Sequence, residues 1–258
     1  HNTTRRQRQM CIRDSSIGDP VKRFSEDPVR SLRAIRFSNK LDFKIDKDIK
    51  EAIYEKGHLL SDISNARLFD EFCKIFLSGM AEKNFNKLSS YGLSKYLIST
   101  DSERSEFTRN LIVESLRNTD KRLINGQSIT PGFLIAALLW PGLIERSLSR
   151  GEINLRKFFR SMDYVLRNQQ KITAVPRKFQ SYIKDIWVLQ LKLHSRIGKQ
   201  PYKTLKHPRF RAAYDLLLLR ERATNKKQDL GKWWTDFQKN DENIKKALIN
   251  DLKEKNIQ

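Results

Sequence analysis

Cysteine, glycine, proline and long apolar runs are all scarce in this chain. Two cysteines among 258 residues, Cys11 and Cys73, cannot frame a disulfide scaffold and point to a reducing compartment. Ten glycines and seven prolines exclude collagen-like and mucin-like chains. The longest apolar run, residues 133–140 (FLIAALLW), is far short of the roughly 20 residues that span a bilayer. Catalytic signatures are missing too, for the chain has no Walker loop, no G-x-S-x-G and no H-E-x-x-H. The four histidines, His1, His58, His194 and His207, lie too far apart for a metal-ligand spacing and read as surface or capping residues. Acidic residues are in deficit: 30 Asp and Glu stand against 51 Lys and Arg, a net charge of +21.

What is present suits a folded, basic protein. A 38% hydrophobic content with 14 Phe, 4 Trp and 7 Tyr is enough to build a core. The positive surplus needs a counter-charge, and nucleic acid is the commonest one, because neutralised phosphates release counterions. An anionic lipid surface, or a merely basic protein, is the alternative. Residues 1–15 (HNTTRRQRQMCIRDS) show no apolar periodicity and resemble a translated sequencing adapter, with a basic arm on nucleic acid as the alternative. Setting aside their four arginines and Asp14 leaves +18, so the charge argument stands without them.

From Ile17 onward the spacing is helical and no stretch alternates with period two, so the fold class is all-α. Asp27-Pro28 reads as an N-cap and first turn, followed by an apolar stripe of Val29, Leu32, Ile35 and Leu41. Helices are expected at 47–56, from 64–65 to about 79, at 84–91, 111–122, 131–140, 155–171, 176–197, 205–224 and 230–238. Residues 99–110 read as a linker or exposed helix start, Pro141-Gly142 as a helix end, and the lysine-rich residues 241–258 as a frayed tail. Cys73, beside Phe72, Ile75 and Phe76, reads as a buried, inert thiol, and Trp233-Trp234 as a packing anchor. The acidic neighbours Asp70 and Glu71 point apart on a helix and make no metal clamp.

Two segments are chemically dense. In residues 17–43 (IGDPVKRFSEDPVRSLRAIRFSNKLDF), Arg30, Arg33 and Arg36 recur every third residue, beside the apolar stripe, and Asp27 stands one turn before Arg30. An Asp acceptor next to an Arg donor complements the Watson–Crick edge of adenine or cytosine, and the remaining arginines suit phosphates. The alternative is that Asp27 caps the helix and the arginines pair with Glu26 and its neighbours. Further on, Lys199, Lys203, Lys206, Arg209 and Arg211 are interleaved with Tyr202 and Phe210, the pairing of charge and rings that single-stranded RNA binders use. Phe210, Tyr214 and residues 216–219 are read as helix core, and RNA contact is assigned to the basic side chains.

The run Gly18-Asp19-Pro20, Arg23-Phe24, Glu26-Asp27-Pro28-Val29-Arg30, Leu32-Arg33-Ala34 and Arg36-Phe37 resembles the end of the nucleotidyltransferase core in the class II tRNA nucleotidyltransferase and bacterial poly(A) polymerase superfamily. The resemblance implies that Asp27 and Arg30 read the incoming base, that Glu26 orients Arg30, and that Arg33 and Arg36 support the nucleotide and its phosphates. Residues 65–71 (NARLFDE) resemble the neck element of these enzymes and bring Arg67 to RNA. Asn118-Thr119-Asp120, Pro131, Phe133-Leu134 and Leu139-Trp140 are similar to the body of the bacterial poly(A) polymerases, and residues 207–220 to their arginine-rich C-terminal region. These later segments favour poly(A) polymerase over a CCA-adding enzyme.

The implied layout is an elongated multi-helix protein. It has a foreign or disordered segment at 1–16, the end of the nucleotidyltransferase core at 17–45, and a neck at 46–100. A body with an arginine-rich region follows at 105–240, then a basic tail at 241–258. The implied reaction adds AMP from ATP to RNA 3′ ends in the cytoplasm, with Mg²⁺, no membrane, and RNA-decay proteins as partners. The family's G-G-x-V-R-D loop, D-x-D pair and R-R-D-F-T-x-N element do not occur here, so metal ligands and catalytic residues are expected to be absent and the chain itself inactive. The alternatives are a CCA-adding nucleotidyltransferase and a non-catalytic helical RNA-binding adaptor.

Overall fold

The computed structural model describes residues 19–99, 105–224 and 229–255. The expectations for residues 1–16, with Cys11 and His1, and those for Ile17 and Gly18, lie outside them. The described residues are helical almost throughout, which agrees with the all-α reading. They fall into two compact units. The first comprises residues 19–99, 119–127 and 167–175, and the second comprises residues 105–118, 128–166, 176–224 and 229–255.

Unit one opens with α1 (Pro20–Glu26), where Asp19 accepts from the Val21 amide at 2.9 Å and Pro20 supplies the first turn. The N-cap signal expected at Asp27-Pro28 therefore belongs one helix earlier. The next helix, α2 (Val29–Lys40), has Pro28 at its N-cap and no side-chain cap. Its stripe of Val29, Leu32 and Ile35 is buried, whereas Leu41 lies past the last turn and is exposed. Next come α3 (Lys47–Lys56), α4 (Asn65–Phe76) and α5 (Ala81–Ser90). Leu68, Phe72, Ile75 and Phe76 bury the inner face of α4.

Two polar groups from later in the chain tie unit one together. Asp120 accepts from the amides of Ala81 (2.6 Å) and Glu82 (3.1 Å), which satisfies the start of α5 across 39 residues of sequence. Its desolvation raises its pKa from the usual carboxylate range. Buried Gln169 donates to the Leu97 carbonyl at 3.0 Å and accepts from the Ser99 amide at 2.9 Å.

The helices α6 (Glu106–Ile124) and α7 (Pro131–Ser147) follow, and α7 corrects an expected end at Pro141. Proline forfeits one helical hydrogen bond. The helix nevertheless continues, because Leu143 and Ser147 beyond it are buried and Thr130 caps its start by accepting from the Phe133 amide. A two-residue hairpin, β1 (Leu148–Ser149) and β2 (Glu152–Ile153), was not expected. Its turn places Arg150 (φ 53°) and Gly151 (φ 87°) in the left-handed region, the geometry of a tight hairpin.

The remaining helices are α8 (Leu155–Gln170), α9 (Arg177–Lys192), α10 (Gln200–Leu205), α11 (Phe210–Thr224), α12 (Asp229–Lys239) and α13 (Glu242–Lys255). The expected helix 205–224 therefore starts later, at Phe210 just after Pro208, and Leu205 ends α10. In unit two α7 packs on α9, where Trp187 Nε1 donates to the Ala136 carbonyl at 2.9 Å. Phe210, Tyr214, Trp233, Trp234 and Phe237 form a second core cluster, so the two tryptophans are packing anchors.

The expected frayed tail is largely helical instead. Asp241 caps α13 by accepting from the Asn243 and Ile244 amides at 2.9 and 3.0 Å, and Ile249 is buried in the tryptophan cluster. Apolar positions at helical spacing outweigh the lysine count. Ile249→Ala is expected to lower unfolding stability by about 2 kcal/mol in a thermal melt. A solvated tail would show no change.

Candidate functional site

The junction between α1 and α2 concentrates charge. Asp27 leaves α1 in an extended conformation (φ −144°, ψ 90°), and its backbone accepts from the Arg30 amide at 3.0 Å. Its side chain does not cap α2 but faces three arginines. Arg67 Nη2 donates to Asp27 Oδ1 at 2.8 Å, while Arg30 Nε and Arg33 Nη1 each lie 3.9 Å from Oδ2. Arg30 and Arg33 come from successive turns of α2, and Arg67 comes from the first turn of α4.

Behind them lies Glu71, with 1% of its side chain exposed. Arg33 Nη2 donates to Glu71 Oε1 at 3.3 Å and Lys74 Nζ donates to the same oxygen at 3.1 Å, while Oε2 is buried without a partner among the described residues. Arg33 therefore bridges two carboxylates. Four cations (Arg30, Arg33, Arg67 and Lys74) meet two anions (Asp27 and Glu71), so the cluster keeps a positive surplus. The three arginines remain about 40% exposed (40%, 39% and 43%) and open to an incoming anion.

The other site residues expected from sequence fall in different places. Glu26 is exposed at the end of α1, and the carboxylate near Arg30 among the described residues is that of Asp27. Arg36 is not part of the cluster; its guanidinium sits 4.4 Å from the Phe37 ring and its buried Nε has no partner. Arg67, assigned to RNA from sequence, donates to Asp27 and keeps 43% of its side chain exposed.

In unit two, Lys199, Lys203 and Lys206 are exposed on and beside α10. Arg209 lies 4.8 Å from the Tyr182 ring, and Arg211 Nε is 3.1 Å from Asp215 Oδ1, a pairing that offsets its charge. Phe210 and Tyr214 are buried at 6% and 5% exposure, as core rather than stacking surfaces.

Sequence reasoning passed over Glu71 and Lys74. A signal existed, because Glu71 falls three residues after Leu68 and four before Ile75, on the apolar face of α4. A carboxylate there needs a cation, and only helix docking identifies it as Arg33. Asp70 is exposed and Glu71 buried, so the two acids do point apart. Burial, with the Asp70 charge, pushes the half-buried Cys73 thiol up to about 11.

Two measurements check this geometry. Arg33→Leu leaves the buried Glu71 with Lys74 as its partner and is expected to cost about 2 kcal/mol in denaturant unfolding, with much of it recovered by Arg33→Leu/Glu71→Leu, whereas the exposed Arg67→Ala costs under about 1 kcal/mol. In a Cys11→Ser background, iodoacetamide is expected to alkylate Cys73 roughly 100-fold more slowly than a free thiol at pH 8, with the rate still rising above pH 10.

Comparison with known proteins adds an independent line. Residues 150–258 match the family described as polymerase A arginine-rich C-terminus, and residues 42–100 the probable RNA and SrmB-binding site of polymerase A. Poly(A) polymerase I of Salmonella typhi is 36% identical over 249 residues, covering 92% of this chain and 53% of that protein. Poly(A) polymerase I of Haemophilus influenzae is 38% identical over 244 residues, covering 90% and 54%. A CCA-adding enzyme of Geobacillus sp. is 43% identical over 82 residues, covering 32% of the chain and 20% of that enzyme. The chain spans about half the length of the poly(A) polymerase relatives it matches.

Proposed function

The chain belongs to the family of the bacterial poly(A) polymerases, and from that premise we propose that it serves the transfer of AMP from ATP to RNA 3′ ends, with unit one selecting the nucleotide. The observation that carries this reading is the convergence of Arg30, Arg33 and Arg67 on the Asp27 carboxylate. Ionised Asp27 is an acceptor only, and Arg30 a donor only. Side by side they match the exocyclic amine and adjacent ring nitrogen of adenine. Guanine and uracil present a carbonyl where Asp27 needs a donor, so two acceptors would face each other. Arg67 holds one oxygen of Asp27 and thereby sets the direction of the other. Arg33, with Arg36 further along α2, is assigned to the nucleotide and its phosphates, and Glu26, next to Asp27 in sequence, to the orientation of Arg30.

Cytosine shares the amine-and-nitrogen edge, so the Asp27–Arg30 pair alone suits a CCA-adding enzyme as well. The similarity over 92% of the chain, against 32% for the CCA-adding relative, supports the poly(A) reading. RNA is the partner polymer, contacted through Lys199, Lys203, Lys206, Arg209 and Arg211, with Arg67 reaching it beside the nucleotide. We place the reaction in the cytoplasm, with RNA-decay proteins downstream. Among the described residues no helix is long and apolar enough to cross a membrane.

Mg²⁺ is the metal that the family resemblance implies. Among the described residues no three His, Cys, Asp or Glu side chains gather to hold an ion. These residues do not fit a metal centre, and the steps assigned to them are recognition steps.

The test is a chimera that joins the N-terminal portion of the Haemophilus influenzae poly(A) polymerase I to this chain. It is expected to extend an RNA primer with ATP in preference to CTP. Asp27→Ala and Arg30→Ala are expected to erode that preference at least tenfold while changing RNA affinity less than threefold. An unchanged preference in both variants reduces the pair to a structural ion pair. The chain by itself is expected to add no nucleotide to the primer.

A further inference from the structure

The lysines of α10 face a second wall that the sequence did not indicate. Lys199, Lys203 and Lys206 follow one another at four- and three-residue steps, and Lys246 of α13 joins them in lining a groove of about 750 Å³ within unit two. Among the described residues none of the four has a carboxylate within 4 Å, and Glu242, the groove's acid, is held 3.3 Å from Lys245. A smaller cavity of about 210 Å³ carries Lys192 and His207 and shares Lys203. The positive lining therefore continues from one cavity to the next through Lys203.

The wall that holds Lys246 is anchored. Ile249 is buried in the tryptophan cluster, and Trp233 Nε1 donates to the Leu248 carbonyl at 3.4 Å. Four ammonium groups lining one groove, against the single acid Glu242, repel one another, and an anion with several charges along its length relieves that cost. The groove has little to offer a base. Tyr202 is half-buried, with its ring edge-on to Phe237 at 5.3 Å, so it is committed to packing.

We propose that this groove seats the phosphodiester backbone of single-stranded RNA, with Lys246 as the wall residue opposite Lys199, Lys203 and Lys206. The inference rests on the reading of RNA as the partner polymer and adds to it the part of RNA that is held and the helix that completes the site. Recognition by ammonium groups without a free aromatic face is sequence-tolerant.

The experiment titrates the full chain with a fluorescent unstructured oligoribonucleotide at several salt concentrations. It compares Lys203→Ala/Lys246→Ala with the charge-matched control Lys44→Ala/Lys171→Ala, all four positions being exposed. Each lysine–phosphate contact contributes about −0.7 to the slope of log K against log salt for single strands. The groove variant is expected to flatten that slope by about 1.4 and to weaken binding about 25-fold at 0.1 M salt. The control is expected to shift the slope by less than half of that, and adenine, uracil and cytosine homopolymers to bind alike.

Equal losses in the groove and control variants overturn the groove while leaving RNA binding in place. A strong preference for one homopolymer, or for a duplex of the same length, overturns backbone recognition of a single strand. An absence of RNA binding by the unmodified chain overturns both the groove and the RNA reading on which it rests. Circular dichroism of both variants shows whether any loss reflects unfolding.

Discussion

Glu71 puts unit one under a constraint that its neighbours have to meet. A carboxylate with 1% exposure is costly unless cations accompany it, and one of its oxygens still has no partner among the described residues. Arg33 and Lys74 supply the charge on the other oxygen. Arg33 is thereby tied down at one end of its guanidinium, and its other nitrogen is left beside Asp27. The Asp27 carboxylate is then held by Arg67 at 2.8 Å, with Arg30 and Arg33 each 3.9 Å from its other oxygen.

The packing of α2 serves the same end. Val29, Leu32 and Ile35 bury one face of the helix, and Arg30 and Arg33 emerge beside that face rather than opposite it. A helix held by three buried aliphatic side chains keeps its polar edge in one place. At the far end of α2, away from the cluster, Phe37 and Leu41 are exposed and Asp42 lies in the left-handed region (φ 54°).

Positive charge is used differently in the two units. In unit one, arginines are held in pairs with carboxylates, an arrangement that directs forked donors. In unit two, Lys199, Lys203, Lys206 and Lys246 have no carboxylate within 4 Å among the described residues. Lysine is a compact, mobile charge suited to phosphates at variable positions, whereas arginine suits planar recognition at a fixed one. Each unit therefore carries the cation whose geometry fits the task assigned to it.

Composition and spacing determined a good deal without any coordinates. Helical periodicity made the all-α class legible, the charge surplus pointed to a polyanion, and the E-D-P-V-R run marked Asp27 and Arg30 before their distance was known. Local chemistry misled where packing overrode it. Pro141 did not end its helix, because buried residues lie on both sides of it. The lysine-rich end did not fray, because Ile249 is buried in the tryptophan cluster. Glu71 and Lys246 stayed hidden for another reason. Each acts through partners far away in sequence, Arg33 in one case and the lysines of α10 in the other. One-dimensional spacing reports which face of a helix a residue occupies. Which charge that face meets was decided only when the helices packed, since ion pairs and grooves depend on distances of a few ångströms between elements that the sequence leaves far apart.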